Sequence, residues 1–171
     1  MIRTKSAGFS LLEVLITILL ITVGVLGMVG MQGKAIQYTQ DSVERTYAAS
    51  LAYELLEIIR ATPSELDKEN SPYLFDSLPA SVTGTCFDLD EASLNQQVGC
   101  WASRARTLLP GADSLSEHFT SCFSTEPGVC SGDGAALEIR LAWDASGEGC
   151  LDADSNELAD SLCTFTFRSQ I

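Results

Sequence analysis

The chain has a single histidine, His118, and no Cys-x-x-Cys pair, so it has little to offer the commonest catalytic and metal-binding chemistries. A lone imidazole cannot supply a histidine-rich zinc site, and neither His-Glu-x-x-His nor Gly-x-Ser-x-Gly occurs. His118 is therefore read as a surface or strand residue, with no catalytic constellation, no metal centre and no enzyme expected. Basic residues are also scarce: Lys and Arg number 10 against 23 Asp and Glu, for a formal charge of −13. An acidic surface repels phosphate backbones, so nucleic acid is a poor partner unless a local patch forms, for example around Arg104 and Arg106.

Charge of either sign is missing from Val14 to Gly33, VLITILLITVGVLGMVGMQG. At about 1.5 Å per residue this run spans the roughly 30 Å hydrocarbon core of a bilayer once. Arg3 and Lys5 precede it. Short basic flanks stay cytoplasmic, so the remainder of the chain is expected on the periplasmic side of an inner membrane. That remainder is the acidic part: residues 35–171 hold 7 bases and 22 acids, a balance of −15. It also holds all six cysteines, Cys86, Cys100, Cys122, Cys130, Cys150 and Cys163. An even number in an exported body points to disulfides in an oxidising compartment. Spacing leaves many connectivities open; pairing of nearest neighbours, Cys86 with Cys100, Cys122 with Cys130 and Cys150 with Cys163, is the simplest.

A secretory signal carries small residues after its apolar run. Here Ala7 and Gly8 come before it, in AGFSLLEVLI. A short basic leader, a Gly-Phe junction and a glutamate five residues into the apolar helix resemble the type IV prepilin family. The resemblance implies cleavage by a prepilin peptidase between Gly8 and Phe9, methylation of the new Phe9 amine, and a helix that stays in place. It also implies that Glu13 pairs with the terminal ammonium of a neighbouring subunit during assembly. A carboxylate in an apolar helix costs up to about 2.5–3.5 kcal/mol at the bilayer centre and is tolerated there for a reason. Gly24, Gly27, Gly30 and Gly33 recur through the second half of the run, and Gly30 stands in the zone where many major pilins have a helix-bending proline. Local stretching of the helix and close helix packing both account for them.

Beyond Lys34 the helix is expected to continue to Thr62 and stop at Pro63. Val43, Tyr47, Leu51, Leu55, Ile58 and Ile59 recur at helical spacing as its apolar face, with Asp41, Glu44, Arg45, Glu54, Glu57 and Arg60 mostly elsewhere. Residues 63–88 read as irregular connection around Pro63, Pro72 and Pro79. Asp90 is expected to cap a second helix running to about Leu109, with Val98, Trp101, Ala102, Ala105 and Leu108 inward. Residues 136–143 alternate as a strand with Leu137, Ile139, Leu141 and Trp143 on one face. Residues 163–168 do the same, and 118–124 more weakly. The expected fold is α+β: a long N-terminal helix, half membrane-embedded and half amphipathic, packed on a small antiparallel sheet and stapled by disulfides. The expected divisions are 1–8 as leader, 9–33 as transmembrane and assembly helix, 34–62 as its amphipathic continuation and 63–171 as a periplasmic head.

The whole chain most resembles the prepilin branch called type IV pilus modification protein PilV. Three features carry this: GFSLLEVLI, LAYELLEIIRA ending near Arg60, and the stretch from Trp101 to Leu-Pro-Gly before a strand ending in Trp-Asp. By that resemblance it is a minor pilin, assembling with other minor and major pilins on the assembly platform, near the pilus tip and alongside a tip adhesin. Cys150 and Cys163 would bound the exposed C-terminal loop found in major pilins. Two other roles fit the same start: a pseudopilin of type II secretion, or a tip subunit that captures a ligand or DNA. One acidic stretch, DADSNELAD, sets Asp152, Asp154, Asn156 and Asp160 at EF-hand-like positions. Glu157 stands where that loop needs glycine and Cys163 where it needs a bidentate carboxylate, so a solvated acidic loop is expected in place of a calcium site. No cofactor is expected.

Overall fold

A computed structural model describes residues 10–66, 70–82, 86, 93–132, 134–145, 150 and 162–171. The chain divides into two compact units, Met1–Thr39 and Gln40–Ile171. Helix α1, Leu11–Ala61, supplies residues to both. Its end is set locally: Thr62 precedes Pro63, whose ring disfavours helical geometry at the preceding residue, and the Thr62 side chain bonds to Tyr73 Oη. The helix therefore stops one residue before the expected Thr62.

In the second unit the buried residues of α1 are Asp41, Glu44, Ala48, Leu51, Ala52, Leu55, Leu56 and Ile59. This corrects the apolar face read from the sequence. Val43 and Tyr47 are exposed, while Asp41 and Glu44 lie on the covered side. Ala48 and Ala52 are fully buried there beside Leu51, Leu55, Leu56 and Ile59, while Val43 and Tyr47 are turned away. Against this face docks helix α2, Leu94–Leu108. Trp101, fully buried, donates from Nε1 to the carbonyl of Leu51 at 2.9 Å, so its one polar atom is satisfied on α1. Val98, Ala102 and Ala105 share its side, and Leu108 is only partly covered. The cap of α2 is Ser93, whose hydroxyl accepts from the Gln96 N–H, and the helix starts later than an Asp90 cap would have it. At its other end Gly111 has φ +72, and a Cβ there would meet the Asp144 side chain at 3.0 Å.

Three strands follow: β1 (Thr120–Ser124), β2 (Ala136–Asp144) and β3 (Leu162–Gln170), antiparallel in the order β1-β2-β3. Leu137, Ile139, Leu141 and Trp143 on one face of β2 enter the core with Ala48 to Ile59, Trp101 and Phe119. His118 does not belong to β1. It closes a 3-10 turn, Ser116–His118, from which Phe119 drops into the core. The outer edge of β1 is covered by Phe75, which exchanges two backbone bonds with Ser121, at 3.0 and 2.8 Å. Three disulfides, Cys86–Cys100, Cys122–Cys130 and Cys150–Cys163, close loops of 14, 8 and 13 residues' separation. A long N-terminal apolar helix, a three-stranded antiparallel sheet and these bridges fit a type IV pilin-like α+β fold.

Candidate functional site

Between Leu11 and Gly33 the only charged side chain is Glu13, in the first turn of α1. The Ser10 carbonyl accepts from the Glu13 and Val14 N–H groups at 3.0 and 3.3 Å, and the Ser10 hydroxyl accepts from Leu12 at 3.3 Å. Ser10 and Glu13 thus stand in Ser-x-x-Glu spacing at the helix start, a signal that the sequence reading passed over. There a carboxylate is favoured by the N–H-rich end of the helix whatever else it meets.

Every residue from Leu11 to Gln40 is exposed. A helix so apolar, with no protein over it, is stable only where lipid or other apolar helices take the place of water. Its hydroxyls suit such a setting. Thr17 and Thr22 donate to the carbonyls of Val14 and Leu19, both at 2.8 Å, so neither carries an unmet donor into lipid. By length and composition α1 can cross a membrane. No Cβ placed on Gly24, Gly27, Gly30 or Gly33 would meet a neighbour within 4 Å, so nothing within the chain requires small residues there. Gly8 and Phe9 lie outside the described residues.

Among its described residues the second unit offers no comparable centre. His118 is half-exposed, with Nε2 3.9 Å from Glu117 Oε1. Among the described residues no three His, Cys, Asp or Glu side chains are gathered as a metal site. Asp152, Asp154, Asn156 and Asp160 lie outside the described residues. Arg104 pairs with Glu54, and Arg106 pairs with Asp113 at 2.6 Å and donates to the Ala102 carbonyl. Both guanidiniums named as a nucleic-acid patch are thus matched by carboxylates.

Glu138 lies on β2. Its neighbours Leu137 and Ile139 face the core, so alternation puts it on the outer face, yet it is fully buried. The loop after β1 folds back over it. The Gly128 N–H donates to both carboxylate oxygens, at 3.0 and 2.9 Å, and the Ser124 hydroxyl reaches one at 3.3 Å. Arg140 and Arg168 flank it at 3.5 and 3.4 Å. Arg168 also donates to the Ser124 carbonyl. This cluster ties the disulfide-closed loop to the sheet. Beside it runs an open groove of about 540 Å³ whose one charged lining residue, Arg168, is already committed to these contacts.

Residues 3–29 match the family model described as the prokaryotic N-terminal methylation motif. No curated protein and no solved structure matches the chain. The motif, together with the exposed apolar helix, supports a type IV pilin- or pseudopilin-type protein. It supports membrane anchoring, processing by a prepilin peptidase and pilus-type assembly with other pilins. It points to a structural protein and away from an enzyme.

Proposed function

We propose that this protein is a minor pilin of a type IV pilus. Residues 1–8 are removed on the cytoplasmic side by cleavage after Gly8, and Phe9 becomes the methylated N-terminus. Residues 9–33 hold the chain in the inner membrane, residues 34–62 continue the helix, and residues 63–171 form the periplasmic head. In the filament the subunit helps initiate assembly on the platform, together with other minor and major pilins, and stays at or near the tip. One observation carries the pilin-type part of this reading: Glu13 is the single charge in the first turns of an exposed apolar helix, inside the matched motif. A pilus core gives such a carboxylate a partner in the Phe9 ammonium of an adjacent subunit, in surroundings where an unpaired charge is costly. The head's acidity and its paired Arg104 and Arg106 argue against a DNA-capturing tip subunit.

Sequencing the mature N-terminus tests the processing: methylated Phe9 is expected, and a cut after the apolar run would refute it. Glu13→Ala should be cleaved normally but enter pili poorly, and normal incorporation would sink the pairing argument. A pseudopilin of type II secretion carries the same motif. Deleting the gene separates the two, since loss of surface pili with intact exoprotein secretion is expected of a minor pilin.

A further inference from the structure

The bridge between Cys150 and Cys163 has two unlike ends. Cys163 is 1 % exposed within the core, whereas Cys150 is partly accessible. Asp41, itself buried on α1, places Oδ1 3.8 Å from Cys163 Sγ. A disulfide sulfur carries no proton, so this is a carboxylate held against sulfur and not a hydrogen bond. Neither the pilin-type reading nor the anchoring chemistry uses it.

We propose that Asp41 guards this bridge against thiol–disulfide exchange. An attacking thiolate must reach a sulfur in line with the bond it breaks, and of the two residues Cys150 is the more exposed. Attack there forms a mixed disulfide on Cys150, breaks the original S–S bond, and leaves the electron pair on Cys163 Sγ as a thiolate. That thiolate appears in a buried site beside a carboxylate. Like charges at this separation and exclusion from water both make it a more basic, poorer leaving group. Attack in the other direction would expel the easier leaving group, Cys150, but needs access to the buried sulfur. Attack at the more exposed residue therefore has the bad leaving group, and the good leaving group belongs to attack at the buried one. Glu44, buried one turn along on the same side of α1, adds negative charge nearby, and Arg45 lies beside it. Asp41, Glu44 and Arg45 each have further polar contacts of their own.

A neighbouring carboxylate raises the basicity of the thiolate it faces, and a less basic thiolate leaves faster. Asp41→Asn should therefore speed cleavage of this bridge severalfold. The test is timed reduction of the folded full-length protein by dithiothreitol in detergent, with alkylation and mass spectrometry to follow each bridge separately. Acceleration at Cys150–Cys163, with Cys86–Cys100 and Cys122–Cys130 unchanged, supports the proposal. An unchanged rate, or equal acceleration of all three bridges through general loosening, overturns it. A second measurement uses the unaltered protein and needs no variant to fold. Brief treatment with glutathione should place the adduct on Cys150 and leave the Cys163 thiol free for alkylation. An adduct mainly on Cys163 would refute the direction of attack and the role of Asp41 with it. Both outcomes are independent of whether the protein belongs to a pilus.

Discussion

Replacing Glu138 with alanine should destabilise the head by about 3 kcal/mol, mostly through one backbone group. The Gly128 N–H, aimed at both oxygens of the carboxylate, loses a charge-assisted bond of about 1.5–3 kcal/mol. Removing the buried methylene adds about 0.8 kcal/mol. The Ser124 hydroxyl adds little, because it also reaches the Glu126 carbonyl at 2.5 Å. Arg140 and Arg168 add little too. Their side chains are 30 % and 29 % exposed, so part of each already meets water, and the buried Arg168 Nε lies within ion-pair distance without hydrogen-bond geometry. Glu138→Gln keeps an acceptor for Gly128 but turns an NH2 toward two guanidiniums, and should lose about half as much. The assay is denaturant unfolding of the oxidised full-length protein in detergent, followed by the fluorescence of Trp101 and Trp143, both fully buried. An alanine variant within about 0.5 kcal/mol of the parent would refute the reasoning, since changes that small are ordinary for surface positions.

Trp101→Phe removes the donor to the Leu51 carbonyl and leaves a small void against α1. A loss of about 1.5–3 kcal/mol in the same unfolding assay is expected. Gly134→Ala should cost at least about 1–2 kcal/mol, because φ is +156 and the new Cβ would lie 2.4 Å from the Ser124 carbonyl oxygen. A thermal midpoint equal to the parent's would count against it.

What the sequence disclosed follows from how far apart the deciding residues lie. The alternation of Leu137, Ile139, Leu141 and Trp143 is a local pattern, and β2 buries those four residues. Glu13 falls in the first helical turn because a few neighbours fix where α1 begins. Asp41 and Glu44 are expected mostly off the apolar face of α1, because a carboxylate in an amphipathic pattern ordinarily seeks water. Both are buried, Asp41 against Cys163 of β3, and no periodicity encodes that. The offset of the α1 face has the same origin. Val43 and Tyr47 are more apolar than Ala48 and Ala52, but α2 and the sheet choose the side where their own large residues fit. Capping was decided at short range, yet by geometry: Ser93 and Asp90 are both competent caps, and only the path of the chain selects between them.

The central strand has a consequence for the order in which the head can form. β2 lies between β1, which precedes it, and β3, which is made afterwards, and Arg60 on α1 reaches Ser169 on β3 across 109 residues of sequence. Such a topology gains little from partial synthesis, because the contacts that repay chain entropy arrive with the last strand. The chain must therefore be made through Gln170 before the core closes. Until then six thiols and two tryptophans face the solvent, and correct oxidation competes with mispairing and proteolysis during that interval.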